Sequence, residues 1–191
     1  MVDETHDRDA AAVAEFGFEL GVLKRTRRAG WWHVGVRDPE SVAEHSLRVA
    51  QLATLLAAME GADPARAALL ALWHDSQETR IGDLTHTART YVRAASNEEI
   101  TADQTAGLPD TARKTVQEVV REYEAAATAE ARCAKDADKL ECLMQAVEYR
   151  ASGYQGVDGW IESSRRSLRT DAARRVADAA LSVSVLAWRG R

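Results

Sequence analysis

The sequence predicts an all-α fold, a single-domain bundle of about six or seven helices joined by short links. Three observations carry that expectation. The 191 residues include 36 alanines against 11 glycines and 3 prolines, and alanine has the highest helix propensity while glycine and proline have the lowest. Apolar side chains recur at spacings of three and four rather than two, the pattern of a helix that buries one face. All three prolines stand where a helix would begin, in Asp38-Pro39-Glu40, Asp63-Pro64-Ala65 and Leu108-Pro109-Asp110. Proline is tolerated at the first helical position because its missing N–H has no partner there to lose.

Taken in chain order, residues 1–10 read as a flexible start, and Phe16, Leu20 and Leu23 as the first apolar face. Pro39 opens the next helix, whose inward face carries Val42, His45, Val49, Leu52 and Leu56, with Ser41 and Glu44 spaced for a capping box. A third helix follows Pro64 and carries Leu69, Leu72 and Trp73; after Pro109, Val116, Val119, Val120 and Tyr123 mark a fourth. A long helix runs from about Thr128 to Ser152, where Gly153 stops it. Two more, near Asp158 to Leu168 and Thr170 to Trp188, fill residues 155–191 and pack either on the core or on a second subunit. The irregular stretches are Gly30 to Arg37 and Arg80 to Thr87, and in a helical scaffold sites are often built where such loops meet helices.

Composition excludes several roles. A net charge of -5 argues against binding a nucleic-acid polymer, whose phosphates require a surplus of Lys and Arg. No apolar run approaches the roughly 20 residues needed to span a bilayer, so no membrane partner is expected. Asp3, Glu4, Asp7 and Asp9 make the start too acidic for a leader peptide, so the expected location is the cytoplasm. Cys133 and Cys142 lie nine positions apart in one helical pattern, too far for a disulfide at about 1.5 Å per residue; both are read as free thiols.

The unusual local feature is Trp73-His74-Asp75, directly after the apolar run Ala67-Ala68-Leu69-Leu70-Ala71-Leu72. A charged aspartate at the end of a buried helix is costly unless it is paired or bound to a cation. His45 is the first candidate partner, since Val42, Val49 and Leu52 turn its face inward. Asp138 is the second, on a stripe with Ala131, Ala134, Cys142 and Tyr149. Singly, each has an ordinary reading as a hydrogen-bonded core histidine or a salt-bridged aspartate. Together they place two imidazoles and two carboxylates on three inward-facing helices, a donor set suited to a divalent transition metal with positions left open.

This order of residues resembles the HD-domain phosphohydrolases, whose pattern is a histidine, a His-Asp pair and a distant aspartate. The flanks are similar to the 5'-deoxynucleotidases: Gly30-Trp31, Arg37 to Pro39, Glu40-Ser41-Val42-Ala43-Glu44-His45-Ser46, His74-Asp75-Ser76-Gln77-Glu78, Gly82-Asp83-Leu84 and Lys135-Asp136-Ala137-Asp138. The likeness spans about Leu20 to Tyr149. It implies an HD-domain bundle, a homodimer, and one divalent ion (Mn, Co, Mg, Fe or Zn) held by His45, His74, Asp75 and Asp138. A single ion is implied because no histidine follows His86 to complete a second set.

By the same resemblance, Glu78 transfers a proton to the leaving 5'-oxygen or orients water, and Asp83 holds the sugar 3'-hydroxyl. Trp31 crowds the sugar's 2' side, or else is simply a core tryptophan. Lys135 stands near the distal aspartate. Many relatives have an arginine directly before the tryptophan where this chain has Gly30, so the phosphate ligand falls to Arg28 or Arg27, with Lys24 and Arg25 read equally well as a solvated helix end. His86 stands where relatives often have proline. The implied activity is metal-dependent hydrolysis of (deoxy)nucleoside 5'-monophosphates to nucleoside and phosphate. Two alternatives stay open: a pathway-specific phosphatase for a modified nucleotide or sugar phosphate, and a non-catalytic helical binding module.

Overall fold

Side-chain caps start five of the α-helices in the computed structural model, which describes residues 4–190. These residues form nine α-helices and four short 3-10 helices, with no strand among them. The number exceeds the six or seven read from periodicity. Helix α1 (Glu4–Leu20) covers much of the stretch expected to be flexible; residues 1–3 lie outside the described part. Two 3-10 helices, Gly21–Lys24 and Ala29–Val34, follow it.

Helix α2 (Val42–Glu60) has the expected capping box, in which Ser41 Oγ accepts from the Glu44 N–H and Glu44 accepts from the Ser41 N–H. The helix therefore starts at Val42, not at Pro39. Residues 26–28 and 40–42 instead run antiparallel for one step: the Arg28 N–H donates to Glu40 O at 3.0 Å and the Val42 N–H to Thr26 O at 2.9 Å. That bridge fastens the Arg28 segment beside the start of α2.

Helix α3 (Pro64–Trp73) has Pro64 in its first turn behind the Asp63 cap, as expected, and ends at His74. A tight turn leads to α4 (Glu78–Ile81). Helix α5 (Asn97–Gln104) was not foreseen, because its sequence Asn-Glu-Glu-Ile-Thr-Ala-Asp-Gln has no apolar period; a second capping box, Ser96 with Glu99, starts it. Pro109 caps α6 (Asp110–Ala125) from outside rather than opening it. Helix α7 (Ala129–Ala151) runs between Thr128 and Ser152, and Gly153 at φ +95° turns the chain away. Helices α8 (Asp158–Ser167) and α9 (Asp171–Ser182) follow, and a 3-10 turn at Ala187–Gly190 closes the described chain. The last helix was expected to reach Trp188, but the backbone becomes extended at Val183, where Val183 and Val185 lower helix propensity.

The core lies where α2, α3 and α7 meet. Ala53, Ala57, Ala67, Ala71, Ala134 and Ala137 are all fully buried, and small side chains at a crossing let helix axes approach closely. Leu56, Leu70, Leu140 and Leu143 fill the space between them, each worth roughly 1.5–3 kcal/mol on burial. Helix α9 lies on α7 and α2 through Ala172, Ala173 and Ala177, so this part of the C-terminal segment covers the core. Cys133 is buried and Cys142 half-buried, both free thiols. No described helix is long and apolar enough to cross a membrane.

Buried Asp136 ties α9 to α7 by accepting from the backbone N–H groups of Arg169 and Thr170 and from the Thr170 hydroxyl. Replacing it with alanine strands those donors, which costs about 1–3 kcal/mol. The Asp136→Ala variant is expected to show a lower urea midpoint at unchanged slope, and an unchanged midpoint would deny Asp136 this role.

Candidate metal centre and cleft

His45 sits one turn into α2 on the face that also buries Val42 and Val49, with none of its surface exposed. His74 ends α3 and is also buried. Each ring has its Nδ1 committed to an acceptor. His74 Nδ1 lies 2.6 Å from the Ala71 carbonyl oxygen, and His45 Nδ1 lies 2.5 Å from Glu141 Oε2. A carbonyl oxygen only accepts, so Nδ1 of His74 carries the hydrogen and Nε2 presents a lone pair. Both Nε2 atoms are buried and without a hydrogen-bond partner.

Two carboxylates close on those nitrogens. Asp75 Oδ2 lies 3.1 Å from His74 Nε2 and 3.7 Å from His45 Nε2, and Asp138 Oδ1 lies 3.3 Å from His45 Nε2 and 4.0 Å from His74 Nε2. The ligand atoms of His45, His74 and Asp138 all fall within 4.8 Å of one another. Four acceptors converging in a half-dry pocket repel one another unless a positive charge stands between them, so the donor set fits a divalent cation. The electrostatics agree. Burial and Arg28 oppose a proton on His45, yet Glu141 and Asp138 outweigh them and raise its pKa to about 10. Asp138, despite burial, is held well below the usual carboxylate range by His45, Lys139 and His74. The structure thus brings together the four side chains read as ligands. A second close group, Glu40 with His45 and Glu141, is already satisfied: Arg48 and His45 take Glu141, and Trp31 Nε1 donates to Glu40.

The acids open on a cleft of about 780 Å³ whose wall includes Arg28, Trp31, Glu78, Asp83, Lys139 and Trp160, a size suited to a small-molecule ligand. Glu78 begins α4, is buried, and has Oε2 unpartnered. Burial, then the carboxylates of Asp75 and Asp83, push its pKa up to about 9. Asp83 follows Gly82, which turns the chain at φ +70°, and Asp83 Oδ2 accepts the Ala29 N–H at 2.6 Å. Arg28 Nη1 lies 3.4 Å from Asp75 Oδ2 and 3.6 Å from Asp83 Oδ1. Burial opposes its charge, but those acids raise its pKa further.

The remaining candidates divide. Trp31 satisfies both of its readings: it is 2% exposed in the core and also lines the cleft. Its Nε1 donates to Glu40 Oε1 at 3.1 Å, Tyr149 meets its edge, and Trp160 stacks on it with centroids 5.6 Å apart. Arg27 points elsewhere, pairing with Asp38 at 2.8 Å and donating to Pro39 O, because the antiparallel step sends neighbouring side chains to opposite sides. Lys135 is turned toward α6, over the Tyr123 ring and 3.6 Å from Glu124. The α7 cation on the cleft is Lys139, 2.8 Å from Asp138 Oδ2. His86 lies on the cleft wall.

Sequence reasoning missed Glu141, Lys139 and Trp160. The helical offset of three from Asp138 to Glu141 was a usable signal for a shared face. Trp160 carried none, since only the return of α8 over the Trp31 segment brings its Nε1 to 3.7 Å from where a Cβ on Gly30 would stand.

Residues 20–179 match the HD domain family. The 5'-deoxynucleotidase HDDC2 of Bos taurus is 35% identical over 74% of this chain and 70% of its own length. Among solved structures, a conserved hypothetical protein from Pyrococcus furiosus is 30% identical at a TM-score of 0.73, covering 89% of this chain and 99% of its own. Another, from Magnetospirillum magnetotacticum and described as a "predicted metal-dependent phosphohydrolase", is 26% identical at a TM-score of 0.70, covering 95% of this chain and 94% of its own. With 160 consecutive residues matched, from before the Arg28 segment to α9, the chain belongs to the HD domain family, in the branch of the 5'-deoxynucleotidases.

Proposed function

We propose that this protein is a metal-dependent phosphohydrolase that cleaves nucleoside 5'-monophosphates, with preference for 2'-deoxyribose, to nucleoside and phosphate. The observation that carries the reading is the pair of buried, unpartnered imidazole nitrogens facing two carboxylates at the floor of an open cleft. The relatives named 5'-deoxynucleotidase support the substrate class.

His45, His74, Asp75 and Asp138 would hold a divalent cation, which would supply Lewis acidity toward the phosphoryl group and lower the pKa of water toward about 7. The chain's own residues do the rest. Arg28, kept charged by Asp75 and Asp83, offers its guanidinium to a phosphate, for which the planar fork is a good geometric match. Glu78 holds a proton in a buried position beside the acids, placed to pass it to the leaving 5'-oxygen. Asp83 keeps one oxygen on the Ala29 N–H and has a second for a sugar hydroxyl. Trp31, clamped by Glu40, Tyr149 and Trp160, forms a wall that cannot retreat to admit an extra 2'-hydroxyl.

Phosphate release from the purified protein, with Mn²⁺ or Co²⁺ supplied, is the test. Turnover of dAMP is expected to exceed that of AMP and of a plain sugar phosphate. No release from any deoxynucleoside monophosphate would defeat the reading; equal rates on dAMP and AMP would remove Trp31 from sugar selection.

A further inference from the structure

We infer that Glu141, clamped by Arg48, is the positioning residue that selects the metal-binding tautomer of His45. The inference rests on the reading of His45, His74, Asp75 and Asp138 as ligands and adds the group that prepares one of them.

The contacts form a directed chain across α2 and α7. Arg48 Nε and Nη2 donate to Glu141 Oε1 at 3.0 and 2.7 Å, while Glu141 Oε2 faces His45 Nδ1 at 2.5 Å. Arg48 is itself fixed from outside: its Nη1 reaches both oxygens of Glu148 at 2.9 Å and its Nη2 reaches Gln145 Oε1 at 2.8 Å. Glu141, Gln145 and Glu148 fall on one face of α7, and His45 and Arg48 on the facing side of α2.

A guanidinium has only hydrogens to give, so Arg48 requires oxygen at its end of residue 141. A carboxylate has a second oxygen for His45, and that oxygen accepts the Nδ1 hydrogen. When a cation takes the place of the other ring proton, the lone pair is thereby left on Nε2, the atom that faces Asp75 and Asp138. A carboxylate behind a ligand imidazole both fixes its tautomer and raises its basicity. His74 is served by a backbone carbonyl instead, so His45 alone of the two depends on a replaceable side chain.

The substitution Glu141→Gln turns this logic around. Arg48 keeps the amide oxygen, the amide NH₂ is left facing Nδ1, and the ring hydrogen must move to Nε2, where it blocks the cation. Removing Arg48 as well frees the amide to rotate and offer its oxygen to Nδ1. Mn²⁺ titrated calorimetrically into metal-stripped full-length protein is therefore expected to bind E141Q about 10–100-fold more weakly than the parent. The double variant R48M/E141Q is expected to bind more tightly than E141Q, although it has lost more hydrogen bonds. A merely structural role predicts the opposite order. Parent-like affinity in E141Q, or a double variant no better than E141Q, overturns the inference.

Failure of the parent itself to bind Mn²⁺ would instead overturn the ligand reading, so the two failures are told apart. An independent check needs no variant. Long-range ¹H–¹⁵N spectra of the Zn²⁺-loaded parent are expected to show His45 protonated at Nδ1, and a bare Nδ1 would refute the assignment even if E141Q did not fold.

Discussion

Alanine in place of His74 is expected to abolish both metal retention and phosphate release while leaving the helical circular dichroism close to that of the parent. His74 contributes one of two unpartnered buried nitrogens and stands within 3.1–4.0 Å of both acids. Without it the candidate ligands left are one imidazole and two carboxylates, and the cation loses a neutral nitrogen donor. Catalysis of phosphate monoester hydrolysis can reach ~10²¹-fold, so loss of the cation should take turnover below detection rather than reduce it by a modest factor.

The fold is expected to tolerate the change. His74 lies at the end of α3, its one internal anchor is the Ala71 carbonyl three residues back, and its ring meets Tyr123 with centroids 5.4 Å apart. Truncation leaves a small cavity there but also removes an acceptor that faces two others. Metal content after purification, phosphate release and the far-ultraviolet spectrum are the three readouts. Unchanged turnover would take the His-Asp pair out of the mechanism, and a collapsed spectrum would make the histidine chiefly structural.

Glu78→Gln is expected to lower kcat by about 10²–10⁴-fold, the usual worth of a positioned proton donor, while Mn²⁺ binding stays within a few-fold of the parent. The amide matches the carboxyl in size and can still donate a hydrogen bond, but it has no proton to transfer. Glu78 starts the single turn of α4, three residues after Asp75, and its Oε2 is buried without a partner. Such an atom costs stability, and a native chain retains it where a ligand completes it. Parallel loss of metal affinity would show that Glu78 supports the ligands instead, and parent-like kcat would exclude it from proton transfer.

Local rules read from short stretches of chain held at several boundaries that depend on their own neighbours. Ser41 with Glu44, Asp63 with Pro64, and Thr128 with Gly153 act through hydrogen bonds and φ preferences that span only a few residues. Where a capped segment lacks an apolar period, the reading was incomplete. Helix α5 survives with a polar sequence because Ile100, Thr101 and Gln104 are buried against neighbours that its own residues do not announce. Gln104 alone reaches Glu19, Thr79 and the Ser76 carbonyl, binding α5 to the turn that presents Asp75 and Glu78.

For the site, residue types and their order along the chain were enough to nominate His45, His74, Asp75 and Asp138, because two acids and two imidazoles on or beside apolar faces are costly without a shared partner. Which neighbouring cation faces the cleft was not decidable that way. Arg28 and Arg27 are equivalent as composition and differ in the side of the backbone from which they leave, while Lys139 and Lys135 differ by one turn along α7 and so meet different neighbours. The same holds for Trp160, which reaches the site only because α8 returns over the Trp31 segment, while the offset from Asp138 offered Glu141 a face and only the crossing of α7 with α2 gave it His45 as a partner. Sequence by itself determined the helical class, several capped boundaries and the residue types of the candidate ligand set; tertiary structure decided ring orientation and which charges share the cleft, since those depend on distances between atoms remote in the chain.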